Sequence, residues 1–411
     1  MNVAHFIARR VAFNPQKSFS RFIIRLSIAA TVISVMVMIV TLSFVNGFEE
    51  TVSNKVFSFW GHVRLQYRQP MKAAIAEEIP IEKADSLAQS IRQLTKVKVI
   101  HPFATKYAIL NTPDEMEGVL LKGFEEEESF AHLQQFLDSG RWVSFNDSSY
   151  AREIVVSSYT AKQLGLKLND RVLIYFVRPD GKLRPDRLTI VGIYKTSIEE
   201  YDKTFAIGDI KLIRRLNEWG ENDIGGYEVF LHNYEQMDAV SEDIYNAVAF
   251  PPLWETKTVK EIYPNIFDWL GIINNNGYVL ITIMIIIAAI NFITCLIILV
   301  LERVRMIGTL KALGASDWTV QKIFLHHTVL ITLSGIVIGV ALALGLLWLQ
   351  QTTGFVRLQE EAYYMETAVV KINWWQVTMV VGGTFILSVL VLLIPSFIVK
   401  KIHPIKAIKF N

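Results

Sequence analysis

The sequence predicts an α-helical membrane protein with four transmembrane helices and a large mixed α/β domain inserted between helices 1 and 2. Four runs are apolar enough, and near or above the ~20 residues of helix needed, to cross ~30 Å of hydrocarbon. Composition is intermediate: 52% of the 411 residues are apolar, 19% are charged and mean hydropathy is +0.33. That is too greasy for an ordinary soluble chain and too charged to lie wholly in lipid. Between the first two runs, on the order of 220 residues carry short strand and helix patterns, the length of one or two compact units.

Residues 1–21 form a basic, amphipathic N-terminal segment, and the predicted spans are 22–46, 278–301, 323–349 and 376–399. The first run exceeds the ~7–15 apolar residues of a secretion signal, and "NGFEE" after it offers no small-residue cleavage site, so it reads as a retained anchor. Arg25 near its start can snorkel to the headgroups. Arg9, Arg10, Lys17 and Arg21, then Arg303, Arg305, Lys311 and Lys322, then Lys400, Lys401, Lys406 and Lys409 mark residues 1–21, 302–322 and the tail 400–411 as cytoplasmic. Residues 47–277 and the loop 350–375 then face outward.

The outward segment reads as mixed α/β. "HVRLQY" alternates as a strand, "EKADSLAQSIRQL" has helical spacing through Leu87, Ile91 and Leu94, "GVLLKGF" and "EIVVSS" read as buried strands, and "SYTAKQLGLKL" reads as a helix. "DRVLIYFVRPDGKLRPDRLTIVGIY" reads as two strands joined at Asp180-Gly181, with Pro179 and Pro185 on either side and a basic tip from Arg178, Lys182, Arg184 and Arg187 around Leu183. The acidic run Glu125–Glu128 lacks the ligand spacing of a calcium loop and reads as solvated.

No P-loop, H-E-x-x-H, paired-cysteine or G-x-S-x-G pattern is present, so no ATP site, metal or catalytic set is expected in this chain. His326 and His327 are adjacent, hence on different helix faces, and read as interface residues. The lone Cys295 permits no internal disulfide, and a net charge of +2 gives no case for nucleic acid.

"ERVRMIGTLKALGAS" at 302–316 is a short amphipathic basic helix directly after an apolar run. Met306, Leu310 and Leu313 lie at i, i+4, i+7 with Ile307 beside them. Gly314 can end this helix in the left-handed region, and Ser316 or Asp317 can cap the next. Small faces that suit close helix approach occur at Gly335 and Gly339, at Ala30 and Ser34, and at Gly382-Gly383. The third and fourth spans are expected to use theirs within the chain, the first against a second copy or a paralogue of the chain.

"LERVRMIGTLKALGASDWTVQKIFLHHTVLITLSGIVIG" resembles the cytoplasmic loop and third span of ABC-transporter permeases of the FtsX-like, macrolide-exporter-like superfamily. "FIIRLSIAATVISVMVMIVTLSFVNGFEETVSNKVFSFWGHVRL" and "VGIYKTSIEEYDKTFAIGDIKLIRRL" resemble the first span and closing periplasmic strands of the lipoprotein-releasing (Lol) permeases. The resemblance implies a non-enzymatic permease subunit of the bacterial inner membrane, with a periplasmic domain of porter-like and second subdomains. Its implied partners are a cytoplasmic ATPase homodimer holding ATP and Mg, a second permease copy or paralogue, a periplasmic lipoprotein carrier, lipoprotein cargo and membrane lipid. It implies ATPase coupling through Glu302, Arg303, Arg305, Met306, Ile307, Leu310, Lys311, Leu313 and Gly314. Val45, Phe48, Tyr278 and Ile281 are the expected cargo cavity, and Arg178, Pro179, Asp180, Gly181, Lys182, Leu183, Arg184 and Pro185 the expected carrier-docking hairpin. Met306 stands where many relatives carry an acid, and the hairpin is shorter than the Lol hook. Export of a small molecule or peptide through an adaptor, or control of a cell-wall hydrolase, are the alternatives within the superfamily.

Overall fold

The first apolar run folds as one helix, Phe19–Trp60, in a computed structural model that describes residues 19–69, 77–126, 130–145, 150–177, 182–302 and 304–391. At ~1.5 Å per residue, these 42 residues reach about twice the hydrocarbon thickness. The helix therefore runs on past residue 46, the expected end of the first span. Gly47 is a notch in mid-helix, because a Cβ there would overlap the Val369 carbonyl. Three further helices, Pro264–Glu302, Asp317–Thr353 and Trp374–Val391, are also long and apolar enough to span a membrane. Pro264 suits a first helical position, and Ser316 caps the third membrane helix by accepting from Thr319 N–H, so both helices start earlier than hydropathy alone suggests. The expected segments 1–18 and 392–411 lie outside the described residues.

The chain divides into two compact units. One comprises residues 1–50, 270–357 and 367–411, and the other residues 51–269 and 358–366. In the membrane unit the third helix lies against the first where side chains are missing. A Cβ on Gly335 would stand 2.7 Å from Thr31 Cβ, and one on Gly339 3.0 Å from the Val32 carbonyl oxygen. Val35, Met38 and Ile39 pack there with Ile336, Ala343 and Leu347. Ser34 is buried inside this bundle, which corrects the expectation that it faces a second permease. Gly382 and Gly383 meet no side chain, so the fourth helix does not use its small face for packing.

Among the described residues the large unit has twelve strands: β1 (Val63–Tyr67), β2 (Ile81–Glu82), β3 (Val97–Asn111), β4 (Met116–Phe124), β5 (Leu137–Gly140), β6 (Glu153–Ser157), β7 (Arg171–Val177), β8 (Leu183–Tyr194), β9 (Phe205–Asp209), β10 (Asp223–Ile224), β11 (Gly226–Leu231) and β12 (Trp254–Thr258). β2 and β10 form a separate ladder. The other ten make one sheet in which β3 serves two neighbourhoods. Its first half pairs with β11, leading on to β1 and β12, while its second half pairs with both β4 and β7. The path β3-β4-β9-β6-β8-β7 returns to β3 and closes a six-stranded barrel. Pro102, which has no N–H to give, sits just before Ala104 picks up β4. The segments read as strands and helices fall where their periodicity puts them, including the helix Asp85–Arg92 with Leu87 and Ile91 buried.

Phe59, near the end of the first helix, inserts among Tyr194, Tyr201, Phe205 and Phe136, with ring centroids 5.3–6.0 Å away. Beside it lies a cluster of buried charge. Lys122 Nζ donates to Glu228 at 2.7 and 2.9 Å and to the Phe59 carbonyl. Arg64 lies 3.6 Å from the same carboxylate, bonds Glu78 at 3.3 Å, and stacks its guanidinium over Phe103 at 3.9 Å. Burial pulls the Lys122 pKa down, and Glu228 opposes that pull. Glu125 departs from the solvated reading of the acidic run, whereas Glu126 is exposed: Glu125 bridges Lys83 and Arg214, both at 2.6 Å, which hold its carboxyl below the usual range against the effect of burial.

Two predictions follow from these buried groups. Lys122→Met strands the Glu228 carboxylate in the core and should cost about 3–5 kcal/mol, read as a lowered unfolding midpoint of the full chain in detergent. An unchanged midpoint would show that the cluster is not holding the unit together. Burial also lowers His62 and His101 to about 4 and His132 to about 2. The folded state therefore keeps these rings neutral, while the unfolded chain protonates near 6.5. Stability is full above pH 6.5 and should fall toward pH 4 by up to about 1.4 kcal/mol per pH unit for each ring. A melting midpoint flat between pH 7.5 and 5.5 contradicts this.

Candidate functional site

Three sets of side chains emerge as candidates, two in the membrane unit and one in the large unit. The first is the short helix Val304–Ala312, between the second and third membrane helices. It ends in a Schellman turn: Gly314 is left-handed at φ +90, Ala315 N–H bonds the Leu310 carbonyl, and Gly314 N–H bonds that of Lys311. Its apolar face turns inward. Ile307 is fully buried with Val300 and Val320, and Met306 and Leu310 pack against them. This corrects the assignment of Ile307 to a surface that receives a partner. A nine-residue helix stays in place only by burying its own greasy stripe. What remains outside is Leu313, 81% exposed, together with Arg305, Gly314 and Glu302. Lys311 bridges Asp317 at 2.8 Å, and Arg303 lies outside the described residues. Sequence reading missed Trp318, which is 60% exposed with the Lys322 ammonium 5.4 Å from its ring. An aromatic two residues after the Ser316 cap was the available signal.

The second is a groove of about 480 Å³ between the first, second and fourth membrane helices. Tyr278 and Ile281 line it as expected. Val45 does not; it faces Gly277, where an added Cβ would come within 3.1 Å of it. Phe48 is half-buried and off the groove, whose first-helix wall is Met38 and Leu42, one to three turns earlier in that helix. The fourth helix supplies a wall the sequence reading missed, including Gln376, Met379, Gly383 and Thr384. The signal was Gly382-Gly383, which leaves open space rather than a packing face. Polar pairs gather where the first helix leaves this bundle. Asn46 donates to Gln376 at 2.5 Å, Asn274 to Glu49 at 3.0 Å, and Lys371 to Glu50 at 2.7 Å. Exposed Trp348, Phe355, Trp374 and Trp375 mark the same end as a membrane interface. The groove is thus apolar along its length and polar at one mouth.

The third is the β7–β8 hairpin. Val177 pairs with Leu183, Phe176 with Arg184 and Tyr175 with Pro185. Arg178, Pro179, Asp180 and Gly181 lie outside the described residues; Lys182, Leu183 and Pro185 are exposed and Arg184 is half-buried. Strand alternation puts Tyr107, Ile109, Tyr175, Val177, Leu183 and Pro185 on one face of the barrel wall. Tyr107, Val177 and Leu183 are exposed there, an apolar strip running back from the hairpin. That strip was invisible without the β3–β7 pairing. Among the described residues no group of His, Cys, Asp or Glu could hold a metal ion.

Comparison with known proteins places these features in a family. The MacB-like periplasmic core domain matches residues 26–247, and the FtsX-like permease C-terminal region matches residues 278–404. Lipoprotein-releasing system transmembrane protein LolE of Haemophilus influenzae is 23% identical over 422 aligned residues, covering 98% of each chain. LolC of Neisseria meningitidis is 22% identical, covering 96% of each. Among solved structures, the periplasmic region of MacB from Actinobacillus actinomycetemcomitans aligns with 52% of this chain and 96% of its own at 12% identity and TM-score 0.35.

The two faces of the 304–312 helix should behave differently. Ile307→Asp buries an unpaired carboxylate and should lower the unfolding midpoint of the detergent-solubilised chain by the equivalent of several kcal/mol. Leu313→Asp should change it by no more than about 0.5 kcal/mol. Equal midpoints for the two variants would refute the inward orientation.

Proposed function

The chain belongs to the FtsX-like, macrolide-exporter-like superfamily of ABC-transporter permeases; from that premise we propose that it is of the lipoprotein-releasing type, extracting lipid-anchored proteins from the inner membrane and passing them to a periplasmic carrier. The energy comes from a cytoplasmic ATPase dimer, which holds the ATP and Mg. The observation that carries this reading is the likeness to LolE and LolC along nearly the whole of each chain. In this reading both termini and residues 302–322 are cytoplasmic, following their basic residues, and the large unit is periplasmic.

Each candidate set then has a task. Leu313, Gly314, Trp318 and Arg305 present a knob to a groove on the ATPase, held rigid because Ile307, Met306 and Leu310 are anchored on this chain's own helices. Closure of the ATPase dimer on ATP pushes the knob, and the long first and second helices carry the displacement outward. The groove shelters acyl chain. Lifting a chain from the bilayer costs about 0.8 kcal/mol per CH₂, so a lipid anchor needs both an energy source and an apolar refuge. The hairpin, with its basic flank and apolar strip, receives the carrier: Leu183 packs into it, and Lys182 and Arg184 meet its acids. A second permease copy or paralogue completes the assembly.

Gly383→Trp fills the groove and should cut release of lipoprotein from spheroplasts to a carrier at least about tenfold, the scale of 1.4 kcal/mol. A photocrosslinker at Leu183 should give a carrier adduct in cells. Normal release by Gly383→Trp, together with an adaptor protein or a cell-wall hydrolase crosslinked at position 183, would overturn the lipoprotein reading in favour of another branch of the superfamily.

A further inference from the structure

Residues 358–366 belong with the large unit, although the chain on either side of them belongs to the membrane unit. Nine residues leave the end of the third membrane helix, dock, and return to start the fourth. Leu358 N–H bonds the Glu366 carbonyl at 2.9 Å and pinches the loop closed. Most of its docking contacts are ionic. Lys195, just past the end of β8, lies 2.8 Å from Glu360 Oε1, 3.0 Å from Glu360 Oε2 and 2.8 Å from Glu366. Lys55, on the outer part of the first helix, donates to the Tyr364 carbonyl at 2.7 Å. The apolar part is small: Met365 is buried, and Tyr364, left-handed at φ 57, stands edge-on to Trp269 with centroids 5.4 Å apart.

The receiving side is rigid. Asp202 accepts from Thr196 N–H, Thr196 Oγ1 and Ser197 N–H, fixing the turn that follows Lys195. The seam is partly open to water: Lys195 is 37% and Glu366 69% exposed, while Glu360 is 30% exposed with its Oε1 turned out of solvent. Exposed ion pairs hold weakly and are screened by salt, whereas a permanent joint buries apolar area. Beside the seam is an open cleft of about 770 Å³, lined by Tyr159, Lys162, Lys195, Asp202, Gln359 and Glu360, so nothing packs the loop shut on that side.

We propose that residues 358–366 are a releasable strap, tied to the large unit by Lys195 and Lys55 at rest and let go during the ATP-driven stroke. Docked, the strap holds residues 358–366 against Lys195 and Lys55 of the large unit. Released, it frees that stretch of the connection between the third and fourth membrane helices. The release step rests on the proposed ATPase-driven function, whereas the docking does not.

The test uses the full chain with Cys295→Ser and spin labels at Ala362→Cys on the strap and Arg171→Cys on β7, in nanodiscs with and without its copurified ATPase. The expected result without nucleotide is one narrow distance. Lys195→Glu should add a second, longer distance, and the charge swap Lys195→Glu/Glu360→Lys/Glu366→Lys should remove it. Trapping the complex with ATP and vanadate should produce the longer distance in the unswapped chain. An unchanged distance in Lys195→Glu overturns the ionic tie. An unchanged distance in a trapped complex that hydrolyses ATP overturns the release and makes the loop a fixed brace. Failure of the wider function shows differently, as no ATPase copurifying with the chain at all.

Discussion

The large unit depends on how the end of the first helix is held. A helix terminus leaves carbonyls without partners, and burying one uncompensated is costly. Here the Phe59 carbonyl is met by the Lys122 ammonium, which Glu228 neutralises, and Arg64 shares that carboxylate while Glu78 takes its remaining charge. Glu78 in turn accepts from Thr105 N–H and Oγ1. Strands β1, β3, β4 and β11 thereby converge on one helix end. A cluster of this kind adds little net stability over a well-packed apolar one, but removal of any member is severe. What it supplies is direction: a helix held by its last carbonyl and by Phe59 among four aromatic rings cannot turn without turning the strands.

In the membrane unit the same economy is achieved by omission. Gly47, Gly335 and Gly339 remove side chains where backbone or a neighbouring helix must come close, and dispersion contacts replace the hydrophobic effect that lipid cannot supply. Where glycine meets nothing, at Gly382 and Gly383, the result is room. Identical residues thus have opposite consequences depending on whether a neighbour faces them. The 304–312 helix shows the complementary principle, spending its apolar face on its own chain so that what it offers outward is small and fixed.

Much of this was legible in the sequence because it rests on local periodicity. The four spans, the hairpin at 171–194, the Gly314 turn and the Ser316 cap all depend on residues within a few positions of one another. What was not legible depends on pairing at a distance. Ile307 and Leu313 share one amphipathic stripe in a helical wheel, yet one is enclosed by Val300 and Val320 and the other is not. The groove wall moved from Val45 and Phe48 to Met38, Leu42 and the fourth helix because helix rotation, which hydropathy does not encode, decides which face is open. The acidic Glu125 looked solvated because its cations, Lys83 and Arg214, come from opposite ends of the domain's sequence. The loop at 350–375 read only as an outward-facing loop for the same reason: Lys195 lies 165 residues before Glu360.

The distance along the chain between Lys122 and Glu228, 106 residues, also sets an order of events at synthesis. A ribosome adding about 5–20 residues per second delivers the second partner roughly 5–20 s after the first. During that interval the Lys122 ammonium has no Glu228 carboxylate to pair with. β3 likewise waits for β11 and β7 before either of its halves is covered on both sides. The nascent domain therefore stays open to water, with its charges hydrated, until β11 has been made.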